Sequence, residues 1–257
     1  MALLELRGVT MQFGGLVAVD RVDLDLEEHS ILGLIGPNGA GKTTVFNIVT
    51  GMYRPTAGTV TFAGDLIHEL PCHVITAKGI ARTFQNIRLF KTLSVLDNVK
   101  IGRHVRSKKN LLHAIAPGPV TRAEEEEITA RAMDYLRLVG LERKADARAG
   151  SLPYGDQRKL EIARALATEP RVLLLDEPAA GMNRGEKAEV IGLIKRIRDE
   201  LGVTIFLVEH DMKVVMNVSE RVAVLDYGKK IAEGTPQEVQ RDARVIEAYL
   251  GRRHRHI

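Results

Sequence analysis

The amino-acid sequence predicts an α/β fold: a mostly parallel β-sheet, preceded by antiparallel strands and interrupted by a block of helices. Residues 172–175 and 203–208 are continuous apolar runs, which are typical of parallel strands buried on both faces. Residues 22–27 alternate apolar with acidic side chains, the pattern of an antiparallel strand with one face in water. From about residue 90 to 169 the apolar residues recur at helical spacing.

Local signals predict the remaining elements. Two glycines at 14–15 predict a turn between two N-terminal strands, and the apolar run 31–35 predicts a buried strand. Ser94 and Thr121 are each followed three positions later by an acidic residue, which predicts two helix starts. The tyrosine and glycine at 227–228 separate two short strand patterns, which predicts a closing hairpin.

We expect the chain to form one domain with four parts. In order these are an antiparallel β part (1–30 and 57–65), an α/β core (31–85 and 166–235), a helical part (86–165), and a C-terminal helix with a basic tail (236–257). Within the helical part, residues 104–119 are basic, then apolar, then broken by Pro and Gly. We interpret that stretch as an inserted excursion.

Composition excludes several classes of protein. The 257 residues are 45% hydrophobic and 27% charged, as in an ordinary globular protein, and the N-terminal residues do not form a signal-peptide pattern. No apolar run approaches the ~18–20 residues of a membrane span. The single cysteine, Cys72, allows no internal disulfide and fits a reducing compartment, and with His68 and His73 alone a metal site there is disfavoured. The basic tail at 252–256 is expected to be a solvated terminus, with a role on nucleic acid or lipid headgroups left open.

A glycine-rich loop provides the strongest functional signal. Residues 36–44 match G-x-x-x-x-G-K-[ST] between an apolar run and the start of a predicted helix. Free backbone N–H groups and the helix dipole make such a loop an anion site, in which Lys42 reaches the β- and γ-phosphates and the Thr43 hydroxyl holds Mg²⁺. The predicted phosphate-binding residues are Gly36, Pro37, Asn38, Gly39, Ala40, Gly41, Lys42, Thr43 and Thr44.

Two adjacent carboxylates follow the apolar strand pattern at 172–175. Asp176 is where a nucleotide-binding protein with such a loop needs a carboxylate for Mg²⁺. Glu177, one residue further on, is expected to accept a hydrogen bond from an attacking water and orient it. The alternative, a plain strand end with solvated acids, is disfavoured beside an independent phosphate loop.

A second anion site is predicted at the start of a helix. Residues 151–166 form a turn that leads into an amphipathic helix, and the turn carries a glycine and polar groups. Because one compact fold already has a phosphate loop, the second site suggests that another subunit binds the same ATP. The predicted residues are Leu152, Pro153, Tyr154, Gly155, Asp156 and Gln157.

The order of these motifs, with Gln85 after the phosphate loop and His210 last, is similar to that of the ATP-binding cassette (ABC) family. The resemblance covers essentially the whole chain and implies a P-loop NTPase core that binds ATP and Mg²⁺. It implies that Phe13 stacks on adenine, that Gln85 senses Mg²⁺ and the attacking water, and that His210 steadies the γ-phosphate and Glu177. Taken alone, Phe13 has the alternative of a core aromatic, and His210 that of a satisfied strand-end histidine.

This sequence departs from the family pattern in two places. The usual signature is Leu-Ser-Gly-Gly-Gln, whereas this chain has Pro153, Tyr154 and Asp156, so the serine hydroxyl that normally touches the γ-phosphate across the dimer is missing. In the loop 180–183, which the resemblance implies crosses to the other subunit, Asn183 stands for the usual aspartate.

A narrower resemblance is to the ATP-binding subunits of bacterial branched-chain amino-acid importers. It rests on residues 13–19, 82–90, 177–183 and 208–212, and the stretch 104–119 is similar to that of the longer of the two such subunits. It implies a cytoplasmic ATPase that is bound to the inner face of the cell membrane and powers the uptake of hydrophobic amino acids. The implied partners are a second cassette in a head-to-tail dimer, transmembrane permease subunits and, indirectly, a periplasmic binding protein, with no nucleic acid.

Three alternatives remain open at this point. The chain could serve an importer or exporter of another substrate, or it could be an ABC ATPase that acts on DNA or ribosomes. That second class typically has paired cassettes or a long coiled coil, and residues 44–151 contain no sustained heptads. A P-loop kinase or GTPase would leave residues 152–157 unexplained.

Overall fold

The strand that leads into the glycine-rich loop lies at the centre of the larger sheet. The computed structural model describes residues 2–106 and 119–250. All five residues of this strand, Ile31–Ile35, are buried. The strands in the described ranges are β1 (Ala2–Phe13), β2 (Leu16–Glu27), β3 (Ile31–Ile35), β4 (Ala57–Phe62), β5 (Asp65–Leu66), β6 (Ile80–Arg82), β7 (Val172–Asp176), β8 (Thr204–Val208), β9 (Arg221–Asp226) and β10 (Lys229–Gly234).

The helices surround this sheet. Those in the described residues are α1 (Lys42–Val49), α2 (Cys72–Lys78), α3 (Val95–Arg103), α4 (Pro119–Val139), α5 (Tyr154–Leu166), α6 (Arg184–Leu201), α7 (Met212–Val218), α8 (Pro236–Arg241) and α9 (Ala243–Leu250). Ser94 caps α3, because its Oγ accepts a hydrogen bond from the backbone N–H of Asp97 at 3.0 Å. That predicted helix start is confirmed, whereas α4 begins at Pro119 rather than after Thr121.

The larger sheet has the order β10-β9-β3-β8-β7-β6. Strands β9, β3, β8, β7 and β6 pair in parallel, and only β10 is antiparallel, paired to β9. Alternate residues of its central strands enter different cores: Leu173 and Leu175 face one apolar cluster, while Val172 and Leu174 face another. Burial on both faces explains why these strands are continuously apolar.

The smaller sheet is antiparallel, with the order β2-β1-β4-β5. Its apolar residues pack in one cluster with α1 and one face of the larger sheet; Phe46 of α1 and Phe206 of β8 meet there with ring centroids 4.9 Å apart. The opposite face of the larger sheet packs against α5 and α6, and the same cluster extends to α3 and α4. The predicted fold class is therefore confirmed, and the boundaries of its four parts stay a prediction.

The C-terminal segment differs from expectation, because its described part, residues 236–250, forms two helices rather than one. Asp242 is extended between α8 and α9, and its Oδ1 accepts a hydrogen bond from the N–H of Arg244 at 2.8 Å. This side chain caps a new helix, which stops α8 from continuing. Two features predicted from sequence, residues 107–118 of the excursion and the tail at 252–256, lie outside the described residues.

Within residues 2–106 and 119–250, none of the helices combines the length and the apolar character needed to cross a lipid bilayer.

Truncating the central aromatic contact should weaken the whole fold. Phe206 is 1% exposed, so Phe206→Ala should lower the free energy of unfolding by about 3–5 kcal/mol through lost burial and a residual cavity. Urea denaturation measures the change. Leu16→Ala is the control, because Leu16 is 66% exposed and its loss should cost no more than about 0.5 kcal/mol. Equal costs for the two variants would contradict this packing.

Candidate active site

Glycines with positive φ shape the loop between β3 and α1. Gly36, Gly39 and Gly41 have φ values of 152°, 80° and 101°. A Cβ at Gly36 would lie 2.1 Å from the carbonyl oxygen of Leu225, and one at Gly41 would lie 2.5 Å from that of Ala18. Larger residues therefore cannot replace these two glycines without moving the backbone. At Gly39 no atom lies within 4 Å of the Cβ position, so this side of the loop is open.

Lys42, the first residue of α1, lies inside the curve of the loop. Its Nζ donates hydrogen bonds to the carbonyl oxygens of Gly36 at 2.7 Å and Pro37 at 2.9 Å, and the residue is 8% exposed. Burial lowers the pKa of Lys42, and the negative charges of Glu177 and Asp176 oppose that shift. The ammonium group is thus held by backbone carbonyls, with both carboxylates close enough to influence it.

The other loop residues surround this lysine. Ala40 is buried, and its N–H donates to the carbonyl oxygen of Pro37 at 3.2 Å, which closes the turn. Asn38 and Thr43 are exposed, and Thr44 is half-buried. The Thr43 side chain is therefore accessible beside the N-terminus of α1.

Asp176 and Glu177 lie at the carboxyl end of β7, with very different surroundings. Asp176 is 3% exposed, and its Oδ2 accepts a hydrogen bond from Arg82 Nη2 at 2.7 Å. Glu177 has a φ of 48°, in the left-handed region, and its N–H donates to the carbonyl oxygen of Val208 at 2.9 Å. Left-handed backbone is strained for glutamate, and such strain is often found at functional sites.

Gln85 and His210 flank the carboxylate of Glu177. Gln85 Nε2 donates a hydrogen bond to Glu177 Oε2 at 3.1 Å, and His210 Nδ1 lies 3.5 Å from Glu177 Oε1. The three residues come from the ends of different segments, so the fold brings together the residues that the sequence predicts as catalytic. The His210 side chain is 56% exposed, so it is not a buried structural histidine.

A buried glutamate that the sequence analysis missed supports this cluster. Glu209 is 1% exposed; its Oε1 accepts from the N–H of Ala179 at 3.1 Å and its Oε2 from those of His210 and Asp211 at 3.1 and 3.3 Å. Burial raises the pKa of Glu209, and these three N–H donors oppose the shift. Glu209 thereby fixes the backbone on both sides of the site.

The loop that carries Gln85 is attached to α5 by side chains that the sequence analysis did not identify. Arg158 Nη1 donates to the carbonyl oxygen of Phe84 at 2.5 Å, and its Nη2 donates to that of Gln85. Glu161 accepts from the N–H of Arg88 at 3.2 Å and pairs with Arg158 at 3.2 Å. Burial raises the pKa of Glu161, and the Arg88 N–H and the Arg158 charge oppose the shift.

Helix α3 completes this attachment. Asn98 is fully buried; its Oδ1 accepts from the N–H of Phe90 at 3.0 Å and its Nδ2 donates to the Phe90 carbonyl at 3.1 Å. Arg164 of α5 donates to the carbonyl oxygen of Arg88. The backbone of residues 84–90 is therefore hydrogen-bonded at several points to the helical part of the chain.

The turn at 152–157 folds back on its own chain at most of its residues. Gln157 Nε2 donates to the carbonyl oxygen of Leu152 at 2.8 Å, and Lys144 Nζ donates to Asp156 Oδ2 at 2.5 Å. Leu152 and Gly155 are buried, whereas Pro153 and Tyr154 are exposed. The exposed pair begins α5, with Pro153 as the residue before its first turn.

This turn packs against residues 180–183. A Cβ on Gly181 would lie 3.5 Å from the Tyr154 ring, and one on Gly155 would lie 3.1 Å from Glu186 Oε1. Asn183 caps α6, because its Oδ1 accepts from the N–H of Glu186 at 3.1 Å. The departures from the usual pattern at Tyr154 and Asn183 thus both have contacts within this chain.

Phe13 lies at the surface, at the end of β1. It is 41% exposed and packs edge-on against Tyr53, with ring centroids 5.3 Å apart. The alternative of a core aromatic is therefore wrong, and the side chain is partly accessible from solvent. Its adenine contact stays a prediction.

The glycine-rich loop, Lys42 and the two carboxylates at the end of β7 suit a nucleoside triphosphate. The N-terminus of α1 and the Lys42 ammonium offer positive partners for phosphate oxygens. The open side of Gly39 leaves room for them. The negative charges of Asp176 and Glu177 act on Lys42. A γ-phosphate bound by Lys42 needs one carboxylate for its metal ion and another for the attacking water, and these two residues suit those roles.

Comparison with known proteins agrees with this geometry. The family model described as ABC transporter matches residues 19–180, and one described as branched-chain amino acid ATP-binding cassette transporter matches residues 229–255. The chain is 47% identical to the high-affinity branched-chain amino acid transport ATP-binding protein BraF of Pseudomonas aeruginosa, over 97% of this chain and 98% of that protein. It is 45% identical to LivG of Escherichia coli K12, with the same coverage.

Solved structures give the same result. A nucleotide-free ATP-binding cassette from an ABC transporter superposes with a TM-score of 0.85 at 30% identity, covering 98% of this chain and all of the other. A dimeric cassette in a post-hydrolysis state, bound to ADP and phosphate, superposes with a TM-score of 0.77 at 28% identity, covering 91% and 98%. This chain belongs to the ABC transporter family, as one of its ATP-binding, ATP-hydrolysing cassettes.

Proposed function

We propose that this chain is the ATPase subunit of an importer for branched-chain amino acids. The observation that carries the proposal is the position of Glu177 between Gln85 and His210. The backbone of Gln85 is also hydrogen-bonded to α5, the helix that begins at residues 152–157, which we call the signature turn. The identity to BraF and LivG, over nearly the whole of each chain, supports the choice of substrate. Selection of the amino acid falls to other subunits, since the site described above has no feature that would recognise one.

In hydrolysis, Glu177 orients the attacking water. Its carboxylate accepts a hydrogen bond from that water, which aligns the water oxygen with the γ-phosphorus. Gln85 and His210 hold the two carboxylate oxygens, and His210 also steadies the γ-phosphate. Lys42 and the loop N–H groups neutralise charge on the β- and γ-phosphates.

The donor set also suits Mg²⁺. An exposed threonine hydroxyl and a carboxylate are oxygen ligands of the kind that this ion takes beside phosphates, and Thr43 and Asp176 supply them. Gln85 would be a further ligand through its side-chain oxygen. When bound, Mg²⁺ supplies charge neutralisation at the phosphate oxygens.

A second cassette completes each site. Pro153 and Tyr154 are exposed at the N-terminus of α5. In a dimer, the backbone N–H groups at this helix N-terminus can bind the γ-phosphate on the other cassette, although the usual serine hydroxyl is absent. A head-to-tail dimer of this chain, or a pair with a related subunit, brings the signature turn onto the opposite phosphate loop. The dimeric cassette with ADP and phosphate supports this arrangement.

The transmembrane partner docks beside the loop that carries Gln85. A mainly apolar cavity of about 570 Å³ opens there, lined in part by Phe84, Phe90, Ile101 and Val105. A helix from a permease subunit would fill this groove and transmit the closure of the two cassettes. The chain would then sit on the inner face of the membrane, and a periplasmic binding protein would act through the permease.

Replacing the carboxylate of Glu177 should separate binding from turnover. Glu177→Gln keeps the shape but loses the water-orienting charge, so ATP turnover should fall by roughly 10²–10⁴ while ATP still binds. ATP should also drive this variant into stable dimers, which size-exclusion chromatography detects. Glu69→Gln is the matched control, since its exposed carboxylate should leave turnover unchanged. Unaltered turnover in Glu177→Gln would remove that residue from the role.

Transport tests the substrate directly. The chain should be reconstituted in vesicles with the permease subunits, second cassette and binding protein that are proposed as its partners, and uptake of labelled leucine, isoleucine and valine measured. Uptake should require ATP inside the compartment that holds this chain and should stop with Glu177→Gln. ATP-dependent uptake of sulfate or a sugar instead of these amino acids would refute the substrate and leave the ATPase role intact.

A further inference from the structure

Arg82 forms a buried ion pair with the carboxylate proposed to hold Mg²⁺. Arg82 is the last residue of β6, next to β7 in the sheet, and its Nη2 lies 2.7 Å from Asp176 Oδ2. The two side chains are only 6% and 5% exposed. A pair so deeply buried is screened much less by solvent or salt than a surface pair.

The surrounding residues hold the guanidinium in place. Its Nη1 donates a hydrogen bond to Asn47 Oδ1 of α1 at 2.6 Å. The guanidinium carbon lies 5.4 Å from the ring centre of Phe46 and 5.1 Å from that of Phe84, both within range of a cation–π interaction. Its Nε has no hydrogen-bond partner among the described residues. The fold therefore fixes a positive charge at this point.

That charge bears on the metal. Asp176 has one negative charge, and the bound guanidinium already offsets it through Oδ2. A divalent cation approaching the same carboxylate meets a fixed positive charge a few ångströms away, in an environment with a low dielectric constant. The carboxylate can then attract the ion less strongly than an unpaired aspartate would.

We propose that Arg82 is a positioning residue that holds Asp176 as its counter-ion and weakens the site's affinity for the divalent cation. The inference rests on the proposed function of Asp176 as a metal ligand. Its consequence is a site that orients the carboxylate before the nucleotide arrives, yet releases the metal with the product.

Mn²⁺ binding measures the effect without catalysis. Electron paramagnetic resonance gives the Mn²⁺ dissociation constant of the protein with ADP bound, in place of Mg²⁺. Arg82→Gln removes the positive charge, so Mn²⁺ should bind about tenfold or more tightly than in the wild type, given the strength of charge interactions at this range. Arg82→Lys keeps the charge but loses the planar guanidinium, so its Mn²⁺ affinity should lie closer to the wild type than that of Arg82→Gln. Unchanged or weaker Mn²⁺ binding in Arg82→Gln would overturn the proposal.

An Asp176→Asn background separates the two claims. If Asp176 is a metal ligand, Asp176→Asn weakens Mn²⁺ binding, and adding Arg82→Gln to it should still tighten that binding, because the guanidinium repels the ion whether or not the carboxylate is charged. If Asp176→Asn leaves Mn²⁺ binding unchanged, the metal role itself fails, whatever Arg82 does. If Asp176→Asn weakens binding and Arg82→Gln does so too, only the proposal for Arg82 fails.

A wild-type measurement covers the case in which Arg82→Gln does not fold. The Nε–H resonance of Arg82 is identified in nuclear magnetic resonance spectra as the arginine signal missing from Arg82→Lys. It should shift when Mg²⁺ is added to the ADP complex, because the metal then shares the Asp176 carboxylate. A resonance that ignores Mg²⁺ while ADP and Mg²⁺ bind would contradict the proposal.

Discussion

The rest of the site depends on the hydrogen bonds that the buried guanidinium of Arg158 makes to the loop carrying Gln85. This guanidinium binds the carbonyl oxygens of Phe84 and Gln85 and pairs with Glu161, which itself accepts from the N–H of Arg88. A loop of this length would otherwise leave several polar backbone groups without partners. Since Arg158 and Glu161 lie on α5, the loop is joined to the helical layer as well as to its own strand.

This attachment links three regions that the proposed cycle needs to move together. Helix α5 begins at the turn of residues 152–157, the loop presents Gln85 to Glu177, and residues of the same loop line the apolar groove. A phosphate that draws the signature turn of one cassette toward its partner would therefore also shift Gln85 relative to Glu177. Binding at the dimer interface, alignment for hydrolysis and force on the membrane partner would then be one motion.

The sequence was sufficient for the sheet and the phosphate loop, because both depend on local patterns. The first four residues of β7 are apolar because the strand is buried on both faces, and Gly36 and Gly41 have no room for a side chain. The roles of Arg158 and Arg82 could not be predicted, since their partners lie 73 and 94 residues away and any amphipathic helix or strand end can carry an arginine. The break at Asp242 was missed because a single capping side chain decides it.

Distances between spin labels test directly whether the loop of residues 84–90 moves as one body with the helical part of the chain that contains α3, α4 and α5. In the Cys72→Ser, Glu177→Gln background, one label at Asn86 would be paired either with one at Arg131 on α4 or with one at Lys195 on α6, all of them exposed positions. With ATP, the distance from Asn86 to Arg131 should stay constant and the distance from Asn86 to Lys195 should change. A constant distance to Lys195 with a changing distance to Arg131 would contradict the account.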